Sequence, residues 1–307
     1  MKNKVQTLSL YQFLQRIPDE NKAREYIEKM RWAKGRYCPH CKSKNTVEVK
    51  DKKPQPYRCK DCRKHFSVRT GTVMASSNLS LQKWLLAIYL MNTAKKGVSS
   101  CQMARELGVT QKTAWMLCHK IREAWTNPTS QFTGEVEIDE TYLGGKEKNR
   151  HNSEKLNAGR GIVGKQVILG CRERTGKVKT AVAKNNDSSE IYNFVTKNIR
   201  IGATIYTDEH KSYNDLTEYN RQSVNHSRKE YVRGEIHTNG IESFWALLKR
   251  GYYGTFHHFS REHAMRYANE FATRLNQSGC DTENVLAITI KSSVGKNLPY
   301  KVLTNHV

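Results

Sequence analysis

Two short cysteine pairs constrain this chain more than any other feature in it. Cys38-Pro-His-Cys41 and Cys59-Lys-Asp-Cys62 are separated by 17 residues. At that spacing two CxxC knuckles can wrap one tetrahedral Zn²⁺ through four thiolates. A segment of roughly forty residues has too little core to fold unaided, so the metal would supply the missing folding energy. Tyr37, Tyr57 and Phe66 are placed to cover the knuckles, while Arg36, Lys42, Lys44, Arg58, Lys60, Arg63 and Lys64 stay outside. His40 and His65 read as surface groups rather than ligands. Four thiolates leave no open coordination position, so one structural zinc per chain is expected. Cys101, Cys118, Cys171 and Cys280 are scattered. In a reducing compartment, paired CxxC motifs serve metals rather than disulfides.

Charge names the partner. Lys and Arg number 52 against 29 Asp and Glu, a net charge of +23. A chain this basic is attracted to polyanions. Residues 1–125 carry 26 basic against 9 acidic side chains and the remainder 26 against 20. The front is therefore the electrostatic footprint, and the back tolerates acids. A binding module ahead of a catalytic module follows. The opening residues show no secretory signal, and no stretch approaches the ~20 apolar residues of a membrane span. A membrane is a poor partner, and a cytoplasmic, nucleoid-associated location is expected.

Residues 19–33 read as a helix capped by Asp19. Residues 97–122 read as a helix pair. Ser99 or Ser100 caps the first helix, which runs through Leu107. Gly108 makes the turn and Thr110 caps the second helix. Met103, Ala104 and Leu107 would pack on Val109, Ala114, Leu117 and Ile121, leaving Gln111, Lys112, Thr113 and His119 polar. That is the layout of a helix-turn-helix whose second helix enters a major groove. Gln111, Lys112 and Thr113 are the candidate DNA contacts.

From residue 134 the period becomes alternating. GEVEIDET puts Val136 and Ile138 on one face and Glu135, Glu137 and Asp139 on the other. Strands at 166–174 and 176–184 join at a Thr175-Gly176 hairpin. A helix at 188–199, a strand at 203–210, a weaker strand at 222–227 and helices at about 239–249 and 260–277 complete an α/β order. It is compatible with a ribonuclease-H-like sheet covered by helices. The basic insert between Gly144 and Gly164 reads as a flexible loop. The expected organisation is an N-terminal helical segment (1–33), a zinc ribbon (34–72), a helix-turn-helix domain (78–126), a linker at 126–131, a catalytic α/β domain (132–279) and a weakly patterned tail (280–307).

Phosphodiester cleavage by two metals needs carboxylates that converge on ions ~3.5–4 Å apart, and hard divalent ions take oxygen ligands. Asp139 lies on the first strand, Asp208 ends the ATIYTD strand, and Glu242 sits in the first turn of a helix. Glu140 and Glu209, their immediate neighbours, are alternatives. Asn239, Glu242, Ala246 and Lys249 share an arc of ~80°, with Ile241, Phe244, Leu247 and Leu248 opposite. Lys249 lies ~10 Å from Glu242 along the axis. It would meet DNA phosphate, with Arg250 beside it.

The CPHC/CKDC pair, EVEIDETYLGG, IYTDEHKSY, HTNGIESFWALLKRGYYGTFHHFS and RYANEFATRLN together give a wider resemblance. Over about residues 20–277 the chain resembles bacterial insertion-sequence transposases of the zinc-ribbon-bearing family related to eukaryotic Merlin transposons. That resemblance implies a ribonuclease-H-like DDE catalytic domain, two Mg²⁺ or Mn²⁺ ions, and cut-and-paste DNA transposition at terminal inverted repeats. Asp139 matches the family's first acid, Asp208 its second and Lys249 its downstream lysine. The third position is an asparagine in many relatives and a glutamate in others. Here Asn239 and Glu242 both stand on the helix; Glu242 is favoured because a carboxylate suits the metal. The partners implied are double-stranded DNA, as element ends and target, and further copies of the chain, since two ends must meet in one complex. The alternative is a catalytically inactive DNA-binding regulator built from the same parts.

Overall fold

Seven helices begin where the sequence supplies a cap. Ser9, Asp19, Ser80, Ser99, Thr110, Asp187 and Asp281 each accept the backbone N–H three residues on, satisfying a donor that the first turn would otherwise leave unpaired. The structure is a computed structural model that describes residues 7–125, 129–145, 151–155, 164–224 and 237–304. It forms two compact units, one from Met1–Trp125 with Gly279–Val307 and the other from Thr126–Ser278. Most of the insert after Gly144 lies outside the described residues, as do residues 126–128 of the expected linker.

The first unit opens with α1 (Leu10–Arg16) and α2 (Glu20–Arg31). Strands β1 (Thr46–Glu48), β2 (Tyr57–Cys59) and β3 (His65–Phe66) form an antiparallel sheet. Helices α3 (Leu81–Thr93), α4 (Ser100–Leu107) and α5 (Gln111–Ala124) follow. Gly108 ends α4 in the left-handed region, at φ +58°, the turn that glycine takes without a Cβ penalty. Met103, Leu107, Ala114, Leu117 and Ile121 are buried together, as the helical spacing predicts. His119 departs from the expectation. It is buried, edge-on to Trp115 at 4.5 Å, and packs inside rather than staying polar and exposed.

The second unit is a mixed α/β layer. Strands β4 (Val136–Leu143), β5 (Gln166–Glu173) and β6 (Val178–Ala183) run antiparallel. After α6 (Ser188–Asn198), β7 (Thr204–Asp208) pairs parallel to β4, and β8 (Asn220–Val224) pairs parallel to β7. The sheet order is β6-β5-β4-β7-β8. Helices α7 (Asn239–Gly251) and α8 (Ala264–Asn276) close the unit. Alternation decides the layers. Val136 and Ile138 face a core with Ile191, Phe194 and Val195 of α6. Ile168 and Val178 face the opposite core with Ile241, Phe244 and Leu248 of α7. The weak fifth strand falls two residues earlier than 222–227, and residues 225–227 are outside the described residues.

Residues 280–307, read as a weakly patterned tail, hold α9 (Thr282–Ser292) and α10 (Tyr300–Thr304). Leu286 and Ile290 of α9 enter the first unit's core beside Trp84 and Leu85 of α3, and Trp125 donates to Thr289 at 3.0 Å. The surface they cover lies about 200 residues earlier in the chain, so local pattern cannot reveal it. Among the described residues no helix is long and apolar enough to cross a membrane.

Candidate metal centre and acidic site

Each cysteine pair folds into the same knuckle. Cys38 and Cys59 donate their N–H groups to the carbonyls five residues on, Ser43 and Lys64, at 2.8 and 3.0 Å. Lys42 and Arg63, directly after the second cysteine of each pair, both turn at positive φ, +66° and +59°. The knuckles aim four sulfurs at one point. Cys38 and Cys62 sulfurs are 3.6 Å apart, as are those of Cys41 and Cys59, and all four lie within 4.8 Å of one another. Thiolates at ~2.3 Å on tetrahedral zinc would sit about 3.8 Å apart, close to the spacing of these two pairs, so the set fits the ion. His40 and His65 stay out of the group. Tyr57 and Phe66 are buried in one core with Cys38 and Cys59, and Tyr37 packs partly buried against it. A further ring is Trp32, at the end of α2, edge-on to Tyr57 and Phe66 at 5.6 and 6.1 Å. Arg36 stacks on Tyr57 at 4.1 Å, and the Tyr57 hydroxyl donates to Glu28 of α2 at 2.7 Å.

The helix-pair candidates line the amino end of α5. Gln111 and Lys112 are exposed. The Gln111 amide donates to Ser100 at 2.8 Å, and the Thr113 hydroxyl lies 2.9 Å from that of Thr110.

In the second unit, β4 pairs with β7 in parallel register, Val136 with Ile205 and Glu137 with Tyr206. Asp139 and Asp208 each lie two residues beyond the last pair of that register, on neighbouring strands. Both side chains belong to the α7 face, opposite Val136, Ile138 and Ile205. Burial, then the carboxylates of Glu140 and Asp208, push Asp139 up to about 7. The Trp245 indole of α7 donates to Asp139 Oδ2 at 2.9 Å. Glu140 points to the other side, where the buried Tyr213 hydroxyl donates to it, as does Tyr142 at 3.3 Å. Glu209 follows the strand end; His210 N–H donates to Asp208 at 2.9 Å.

Glu242 is exposed in the first turn of α7 and accepts from the Thr238 hydroxyl at 2.9 Å. Asn239 opens the helix, while Lys249 and Arg250 stand exposed in its last turn. Glu242, Trp245 and Lys249 lie within one 60° arc by helical geometry, so the glutamate and lysine flank the indole that touches Asp139. Among the described residues, the cysteine quartet is the one group of three or more His, Cys, Asp or Glu side chains placed to hold a metal ion. Asp139, Asp208 and Glu242 do not form such a group.

The sequence reading missed how α7 is held. Glu137, two residues before Asp139 on the same face, is 2% exposed. It accepts the Ile241 N–H at 2.7 Å and pairs with Arg174 at 2.7 Å. A strand carboxylate thus caps a helix whose own Thr238 provides no side-chain cap. Arg172 of β5 donates to the Gly240 carbonyl and, at 2.8 Å, to Ser243. Two glycines make the approach possible. A Cβ on Gly240 would lie 2.6 Å from Glu137 Oε2, and one on Gly170 would lie 2.5 Å from the Trp245 ring. Gly170 is the residue opposite Asp139 across the β4–β5 pair. A glycine within a buried strand, facing an acid, was the available signal.

These features define a protein with a four-thiolate metal ribbon and a separate α/β unit centred on carboxylates. Residues 131–276 match the ISXO2-like transposase domain, and residues 18–65 match the transposase zinc-ribbon domain. A protein in transposable element ISH50 of Halobacterium salinarum is 31% identical over 244 residues, covering 75% of this chain and 82% of the relative. The chain belongs to this family of insertion-sequence transposases. The ribbon match begins at residue 18 and so takes in α2, which supplies Glu28 and Trp32 to the sheet.

Proposed function

We propose that this chain carries out cut-and-paste transposition: it binds the terminal inverted repeats of its element in double-stranded DNA and catalyses strand cleavage and strand transfer. What supports this reading is that Asp139 of β4 and Asp208 at the end of β7 stand on neighbouring parallel strands, close enough for the Asp208 carboxylate to raise that of Asp139. Three antiparallel strands continued by two parallel ones, with helices on both faces, support a ribonuclease-H-like reading of the unit. The α4–α5 pair supports a helix-turn-helix reading, with Gln111, Lys112 and Thr113 meeting the duplex.

Asp139, Asp208 and Glu242, with Asn239 beside the last, would hold two Mg²⁺ or Mn²⁺ ions. The donor chemistry suits such ions: these carboxylates are oxygen ligands, and Asp139 is crowded by like charge that a cation would relieve. When bound, such ions supply electrostatic stabilisation of the attacking and leaving oxygens of a phosphodiester. Trp245 orients the Asp139 carboxylate through its N–H. Lys249 and Arg250 bind backbone phosphate. Water cleaves the strand at the element boundary and frees a 3′-hydroxyl, which is then joined to a target phosphate. Cys38, Cys41, Cys59 and Cys62 hold one structural Zn²⁺ that keeps the ribbon folded. Two ends in one complex call for at least two copies of the chain on DNA, acting on the nucleoid in the cytoplasm.

The test is an end-binding and cleavage assay on duplex DNA carrying the element's own ends. The unaltered chain should bind and, with Mg²⁺ or Mn²⁺, cut and join. Asp139→Ala should bind and do neither. Strand transfer by that variant would overturn the assignment. Binding without metal-dependent cutting by the unaltered chain would make it a non-catalytic regulator instead.

A further inference from the structure

The face of α5 that carries Lys112 and Thr113 is bordered by the end of the chain. Lys296 donates to the Ala124 carbonyl, at the carboxyl end of α5, at 2.8 Å. Tyr300, opening α10, sets its ring 4.8 Å from the Lys112 ammonium at the amino end. Leu298 and Leu303 are 2% and 1% exposed and fix the segment in place. Between it and α5 lies an open cleft of about 650 Å³, whose walls include Lys112, Thr113, Met116, Asn297 and Tyr300. Among the described residues that line it, none is acidic.

Such a segment can shield a DNA-contacting helix or extend it, and charge separates the two. A shield competes with DNA for the helix's cations, so it needs carboxylates. From residue 291 to residue 304 the chain carries Lys291, Lys296 and Lys301 and no Asp or Glu. Lys301 is exposed, and Tyr300 is 44% exposed beside Lys112. Dimensions agree. A helix about 10–12 Å across fills a major groove about 12 Å wide. An element packed against that helix's flank then lies over a phosphate ridge.

We propose that Asn297–Thr304 is a second DNA-contacting element, with Lys301 and Tyr300 meeting the backbone of the duplex whose groove receives the amino end of α5. This rests on the reading of α5 as a DNA-contacting helix. The contact is to phosphate and sugar, so it adds affinity without sequence preference.

Fluorescence anisotropy with two duplexes, one carrying the element end and one scrambled, measures it across 50–200 mM salt. Lys301→Ala should weaken binding to both duplexes alike, by roughly three- to tenfold, and lower the slope of log affinity against log salt by ~0.9. Lys301→Glu should weaken it further, and Tyr300→Ala should weaken both duplexes with a smaller change in slope. Thermal unfolding of each variant checks the fold; Lys301 is exposed, so its two variants carry the test even if Tyr300→Ala loosens the first unit. Wild-type affinity and slope in both Lys301 variants, with Lys112→Ala weakened, would sink this inference and leave the proposed function standing. Tighter binding by Tyr300→Ala would also overturn it, because freeing the Lys112 ammonium from that ring is what removing a shield would do. If the unaltered chain binds neither duplex, the reading of α5 fails and this proposal falls with it.

Discussion

Glu137 and Asp139 stand two residues apart on one strand and one face, and physics assigns them opposite work. Glu137 is compensated, by the Arg174 guanidinium and by the Ile241 N–H. Removing one member of a buried pair strands the other and costs about 3–5 kcal/mol. Glu137→Ala should therefore lower the stability of the second unit by about that much in urea unfolding; a loss under ~1 kcal/mol would show that the cap and the pair matter little. Asp139 is the reverse case. Its carboxyl is driven up to about 7 by burial and by neighbouring carboxylates, so ionising it strains the fold. Asp139→Asn should leave metal-free stability unchanged or raise it while cleavage is lost, and a clear fall in the melting temperature would count against that view. In sequence the two residues are alternate acids in one strand. What tells them apart, Arg174 and Ile241, is set 37 and 104 positions away, so no local pattern separates the compensated acid from the proposed metal ligand.

Elements were legible where their determinants are local. The caps of α2, α4 and α5, the alternation of β4 and the Thr175-Gly176 hairpin all follow from neighbours in sequence. The docking of α7 does not, because it depends on Gly170 of β5 leaving room for Trp245. Gly170→Ala would place a Cβ 2.5 Å from the indole. Overpacking of this kind costs typically ~1–3 kcal/mol, and the displaced ring would give up its bond to Asp139. The variant should shift tryptophan fluorescence and cut less, whereas Trp245→Phe, which drops the N–H and shortens the ring, should disturb stability less. An order reversed between the two would refute the close-approach account. The ribbon's determinants are local in sequence, and in the proposed reading a bound metal supplies part of its folding energy. Stripping the metal with a chelator should unfold the segment from about Cys38 to Phe66, seen as rapid proteolytic cleavage there. Cleavage of the second unit should stay at its starting rate. Unchanged proteolysis after verified metal loss would mean that Trp32, Tyr57 and Phe66 suffice to hold the ribbon.

At the scale of the whole molecule, the chain builds most of one unit, leaves it at Trp125, completes a second and returns at Gly279. The second unit is therefore an insertion into the first. Order along the sequence suggests modules in series, and hydrophobic periodicity cannot say which core a late helix joins. The consequence is asymmetric. Cutting the chain after residue 278 removes Leu286 and Ile290, which are 0% and 1% exposed. It also removes Thr289, the acceptor for the Trp125 indole. Vacating one large aliphatic site in a core costs about 2–5 kcal/mol. Losing two on one helix approaches the entire 5–15 kcal/mol that holds a typical domain together. A chain ending at 278 should thus lose its first cooperative unfolding transition and, with it, salt-dependent DNA binding, since 1–125 carries most of the net positive charge. The second unit has its own two cores, on either face of its sheet, and should unfold at the same denaturant concentration with or without the C-terminal helices. Calorimetry and denaturant titration of both lengths measure this directly. A truncated chain that keeps both transitions would mean that α9 rests on the first unit's core without being needed by it.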